Sequence, residues 1–125
     1  MPAINYQVTV QVTGGPKLSV AKTLAVQAYD VISVEIPAAG SADVEIEPAA
    51  AAGRVKLLLL TADTYEDLTY DVGGTDHPLD GPALLVGDGA VALLDATPGT
   101  ITFENAHATE ARPIQVFVGR AAVGP

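Results

Sequence analysis

Arg54-Val-Lys-Leu-Leu-Leu-Leu-Thr-Ala62 is the stretch that decides the fold. Side chains alternate between the two faces of a strand, so four leucines in succession make both faces of this segment apolar. A strand apolar on both sides has to be covered on both sides. The other strand-like segments each have one polar face and are built up beside and over this one. The pattern predicts an all-β fold: a single-domain antiparallel β-sandwich or jelly roll of about eight strands spanning residues 1–125. Leu57 and Leu59 then fill one layer, and Leu58 and Leu60 another.

Upstream, Ile4, Tyr6, Val8, Val10 and Val12 alternate with Asn5, Gln7, Thr9, Gln11 and Thr13, the clearest period-two run in the chain. Gly14-Gly15-Pro16 ends it, since glycines and a proline break a ladder. Leu18, Val20, Leu24 and Val26 resume the pattern with Lys22 as an interruption, so residues 17–30 form either one long strand bent by a bulge or two strands. Ile32, Val34 and Ile36 read as a hairpin with Val44 and Ile46 around the turn-forming Pro37-Ala-Ala-Gly-Ser41. The other face of that hairpin carries Glu35, Asp43, Glu45 and Glu47. Like charges facing across strands destabilise them unless solvent, a cation or a basic partner offsets the repulsion. Residues 48–53 read as a crossover loop able to make one helical turn, with proline first and glycine last.

Downstream, Leu68, Tyr70 and Val72 give another alternating strand, and residues 73–82 form the longest irregular region. Gly87-Asp88-Gly89 between two apolar segments signals a tight hairpin. Ile101 and Phe103 lead into an acidic loop, 104–112, that bears His107. Ile114, Val116 and Val118 form the last strand, for a total of eight or nine strands and no long helix.

A chain of 125 residues buries about two-thirds of its unfolded surface around one core, without metals or disulfides. Hydrophobic residues are 49% and charged residues 17%, which excludes disorder as the overall state. A net charge of -9 repels phosphate backbones and anionic leaflets, so neither nucleic acid nor a membrane is an expected partner. The hydrophobic runs fall short of a membrane span of about 20 residues. Cysteine is absent, so no disulfide holds the fold. The start lacks a basic segment followed by an apolar one, so a secretory signal is not expected.

Asp71, Asp76, His77 and Asp80 could hold a divalent cation, but their spacing lacks the order of a calcium loop, and no metal or other cofactor is expected. His107 lies near Glu104 and Glu110, yet a general base needs a positioned nucleophile, and Ser41 is not in a nucleophile elbow. The paired glycines lack phosphate-loop spacing. The chain is read as a non-enzyme.

In its alternating short strands, alanine- and glycine-rich turns, and closing pattern Gly99-Thr-Ile-Thr-Phe-Glu-Asn105 followed by Ile114-Gln-Val-Phe-Val-Gly-Arg120, the chain resembles the decoration or cement proteins of tailed-phage capsids. The resemblance implies a homo-oligomer, most plausibly a trimer, on the capsid exterior, made in the host cytoplasm and bridging subunits of the major capsid protein. Expected contacts are the N-terminal segment Met1, Pro2, Ala3, Ile4 and Asn5, and the loops carrying Asp76, His77, His107 and Arg112. The alternative is a cytoplasmic β-sandwich module for a carbohydrate or another small molecule, for which the scattered aromatic residues, 5% of the chain, give little stacking surface.

Overall fold

A computed structural model describes residues 3–47, 54–95 and 98–121. In chain order the elements are β1 (Ala3–Gln11), β2 (Lys17–Ala25), β3 (Ala28–Ile36), β4 (Gly40–Glu45), β5 (Val55–Ala62), β6 (Leu68–Val72), β7 (Thr75–Pro78), β8 (Ala83–Val86), a short helix α1 (Asp88–Leu94), β9 (Thr100–Asn105) and β10 (Arg112–Arg120).

β3 to β10 pair as one long hairpin folded back on itself: β6 with β7, β5 with β8, β4 with β9 and β3 with β10. Rolling that hairpin up adds the pairs β5–β10 and β6–β9, and so produces two four-stranded antiparallel sheets, β3-β10-β5-β8 and β4-β9-β6-β7. This is a jelly roll, an all-β sandwich of two sheets. β1 and β2 stand outside it as a two-stranded hairpin, in register from Ala3 opposite Ala25 to Gln11 opposite Lys17. We call this hairpin the arm.

Alternation of side chains explains the core. Ile36 on β3, Ile114, Val116 and Val118 on β10, and Leu58 and Leu60 on β5 face inward from one sheet. Val44, Leu68, Val72, Ile101 and Phe103 meet them from the other. Leu57 is also buried, on the opposite side of β5, and Leu59 is half-buried beside it. The doubly apolar segment is thus an inner strand, held between β10 and β8.

Of the two alternatives for residues 17–30 the structure takes two strands, the second running on to Ile36, with Val26 buried at the joint and Gln27 donating its N–H to the Arg120 carbonyl. Three local expectations change. β3 and β4 do not pair as a hairpin, because the jelly roll sends consecutive strands to opposite sheets. The irregular region after Val72 contains β7: Gly73 and Gly74 both have positive φ, 67° and 88°, as a two-residue hairpin turn demands, and Asp71 Oδ1 accepts the Gly74 N–H at 2.8 Å. Gly87-Asp88-Gly89 opens α1 instead of a hairpin. Val91 and Leu94, one helical turn apart, both pack on the core while Leu93 stays 87% exposed. The crossover segment 48–53 lies outside the described residues.

Candidate partner-binding surface

The arm is the most unusual surface of the molecule. Its register places Val8 opposite Val20 and Val10 opposite Leu18, so one side of the hairpin carries an apolar row toward its tip, with Lys22 opposite Tyr6 nearer the base, and the other side carries Asn5, Gln7, Thr9, Ser19 and Thr23. Polar cross-strand pairs tie the second side together: Thr9 and Ser19 hydroxyls meet at 2.9 Å, and Thr23 Oγ1 donates to Asn5 Oδ1 at 2.8 Å. The apolar side is left open, with Val10 61% and Leu18 70% exposed. Only its base is seated. Ile4 is half-buried, and its Cδ1 lies 2.7 Å from where a Cβ on Gly119 would stand. Gly119 makes room for the arm.

The seat of Ile4 belongs to the outer side of the β3-β10-β5-β8 sheet. Register puts Tyr29 and Val31 of β3, Phe117 of β10, Leu59 of β5 and Leu84 of β8 on that side. Tyr29 and Phe117 stack with ring centroids 5.9 Å apart. Tyr29 and Val31 remain more than half exposed, so this side is an apolar patch continuous with the base of the arm. Farther along the same side the surface turns polar, with an open cavity of about 410 Å³ between Glu35, Thr61, Asp63, Pro113 and Gln115.

The outer side of the second sheet is acidic, with hydroxyls beside the carboxylates of β4 and β9 and two carboxylates, Asp71 and Asp76, directly opposite on β6 and β7. Asp43 is paired with Thr102, whose Oγ1 donates to it at 2.8 Å, and Glu45 is opposite Thr100. Glu104 sits between Ser41 and Thr69. The expected single acidic row is therefore divided. Glu35 lies on the other sheet, and Glu47 is only 2% exposed, clamped by Arg54 Nε at 3.4 Å and Arg120 Nε at 3.8 Å. Arg120 also donates to the Ile46 carbonyl at 2.6 Å and pairs with Asp30 at 2.5 Å, while Arg54 donates to the Ala121 carbonyl. This cluster ties the end of β10 to the start of β3, the residues after β4 and the residue before β5.

Met1 and Pro2 lie outside the described residues. Ala3, Ile4 and Asn5 begin β1 and are paired with Ala25, Leu24 and Thr23. Asp76 and His77 are on β7, the edge of the acidic sheet. Asp76 faces outward opposite Asp71, whereas His77 turns inward, its ring 5.2 Å from that of Tyr70. Strand alternation thus separates the imidazole from the carboxylates that the sequence sets beside it. Burial, and secondarily Asp80, raises the Tyr70 phenol above the usual tyrosine range.

His107 lies in the loop between β9 and β10, organised by Asn105 at the end of β9, whereas Arg112 is not in that loop but opens β10 opposite Ile36. The buried Asn105 amide donates to the carbonyls of Ile36, Pro37 and Glu110, and its oxygen accepts the His107 N–H at 2.9 Å. His107 Nδ1 accepts the N–H groups of Thr109 and Glu110, which leaves the proton of the neutral ring on Nε2. Arg112 is 6% exposed and is engaged by the Glu66 carbonyl and by Glu110 Oε2 at 3.0 Å. That hydrogen bond from Arg112, with His107 nearby, holds the Glu110 carboxyl below the usual carboxylate range.

These residues do not form one patch. Arg112 and Gly119 lie seven residues apart on β10, about 23 Å at the rise of a strand, so the loop and the arm base occupy opposite ends of the sheet. Alternation marks the apolar face of β1 in the sequence but does not say whether that face is covered, so the exposed row and the sheet patch appear only in the fold. The signal was present in the charges, since residues 1–29 contain no acid. No helix among the described residues is long and apolar enough to cross a membrane. Comparisons with protein families, curated proteins and solved structures gave no match.

Proposed function

We propose that this chain is a non-enzymatic structural protein of the capsid decoration or cement type: a homo-oligomer, a trimer, that binds the outside of an assembled protein shell and stabilises it. The observation that supports this reading is the arm, a projecting β-hairpin with an uncovered apolar face on a rigid jelly roll. An isolated two-stranded hairpin is marginal in water, so an exposed one is suited to completion by a partner. Its polar backbone edges also offer strand addition to a neighbouring sheet. Multiple copies on a lattice gain about 10²–10⁴ in avidity, and selective binding of the assembled state stabilises that state. Jelly rolls serve many unrelated functions, so the arm carries the proposal and the fold does not.

The experiment is co-sedimentation of the protein with expanded shells and with free capsid subunits of its own source. Binding to shells with little binding to free subunits is expected, with the midpoint of shell disruption moved upward in temperature. Equal binding to both, or none to either, overturns the proposal. A glycan-binding screen of the same preparation addresses the alternative reading, in which the cavity beside Glu35 and Asp63 takes a sugar.

A further inference from the structure

Charge identifies what covers the arm. Residues 1–29 hold two lysines and no acid, a charge of +2, whereas residues 30–125 hold fifteen acids and four basic residues, a charge of -11. Two arms laid face to face bring like charges together, while an arm laid on a body meets opposite charge. One lysine is on the side that matters. Lys22 is opposite Tyr6 and shares the even-numbered face of the hairpin with Val8, Val10, Leu18 and Val20. On the body, the patch formed by Tyr29, Val31 and Phe117 is bordered on the same sheet side by Glu35 and, at the end of β5, by Asp63. Lys22, Glu35 and Asp63 are exposed, and none is paired among the described residues. The arm already seats one aliphatic side chain, Ile4, on this sheet side of its own body.

We infer that the arm of one copy docks on the outer β3-β10-β5-β8 face of a second copy, its apolar row over Tyr29, Val31 and Phe117 and its Lys22 against Glu35 and Asp63. The inference rests on the proposed function only in taking the protein to be oligomeric, and it requires no shell. Exchange of arms covers two apolar surfaces at once and satisfies the unpaired cation on each.

Sedimentation velocity on the full chain tests it. The wild type is expected to self-associate at micromolar concentration, less so in high salt. Lys22→Glu, and separately Glu35→Lys with Asp63→Lys, each weaken association about tenfold or more, and combining all three reversals restores it to near the wild-type level. Val10→Asp, at an exposed position of the arm, abolishes association while the circular dichroism melt of the body is unchanged. A wild type that stays monomeric at high micromolar concentration overturns the inference, as does a combined variant no better than Lys22→Glu. A monomer that still binds shells refutes arm exchange and the oligomeric part of the proposed function while leaving shell binding intact; an associating protein that ignores shells refutes the proposed function alone.

Discussion

Gly119 lies where the base of the arm meets the body, and its missing side chain leaves the space that the tip of Ile4 fills. A Cβ there would lie 2.7 Å from Ile4 Cδ1 and 3.3 Å from Val26 Cγ1, closer than packed atoms sit. Gly119→Val is expected to unseat Ile4, detected as faster hydrogen exchange at Ala3–Asn5 with little change in the body. Leu58 and Leu60 are 0% and 1% exposed, so truncating either to Ala is expected to cost about 2–5 kcal/mol in urea unfolding. Leu59→Ala costs less, because Leu59 is only half-buried. At the far end of β10, Glu110 has its carboxyl pKa depressed by the Arg112 hydrogen bond and then by His107. A depressed folded-state value stabilises above the unfolded value and is lost as pH falls through the folded one. Acidification below the ordinary carboxylate range is therefore expected to loosen residues 104–112, seen as broadened amide signals of Asn105 and His107, and Glu110→Gln removes that pH step. The leucines were legible because four in a row admit one strand reading. Arg112 was not, since nothing in its neighbourhood announces that it is buried beside the Glu66 carbonyl.

Among elements, strands were legible and their partners were not. Period-two alternation marks a strand wherever it falls, but in a jelly roll successive strands lie in different sheets. Reading β3 and β4 as a hairpin followed sequence adjacency, and the acidic row followed from that hairpin; the true pairings, Ile36 with Arg112 and Val44 with Ile101, span more than fifty residues. α1 was missed because an Asp-Gly pair signals a turn in either context, and only the core position of Val91 chooses the helix. The arm differs from every other strand pair in being covered on neither side beyond its base. Its amides are expected to exchange with solvent far faster than those of β5 and β10, which are inner strands, in the dilute monomeric protein. Protection of the arm that rises with protein concentration is the outcome expected from docking between copies.

At the scale of the molecule, two faces are chemically opposite. One sheet presents carboxylates interspersed with threonine and serine, together with the facing pair Asp71 and Asp76, and the other presents Tyr29, Val31 and Phe117 beside an acid-free arm. The total charge was legible from composition, but its segregation into an acid-free segment and an acidic body acquired meaning only once the arm stood apart. The nested strand pairing also governs how this chain comes into being. β10 lies between β3 and β5, so the β3-β10-β5-β8 sheet and the core it covers stay incomplete until Arg120 has left the ribosome. Pairing of such distant segments is intrinsically slow, milliseconds to seconds in refolding, whereas a hairpin like the arm closes in about 1–10 μs. A nascent chain thus displays its adhesive hairpin before it has a body, and a chain stopped after residue 105 is expected to remain a protease-sensitive, aggregation-prone coil. The acid-free segment that would bind a finished neighbour emerges before β3 to β10, which makes crowded translation of this protein a moment of risk for premature association.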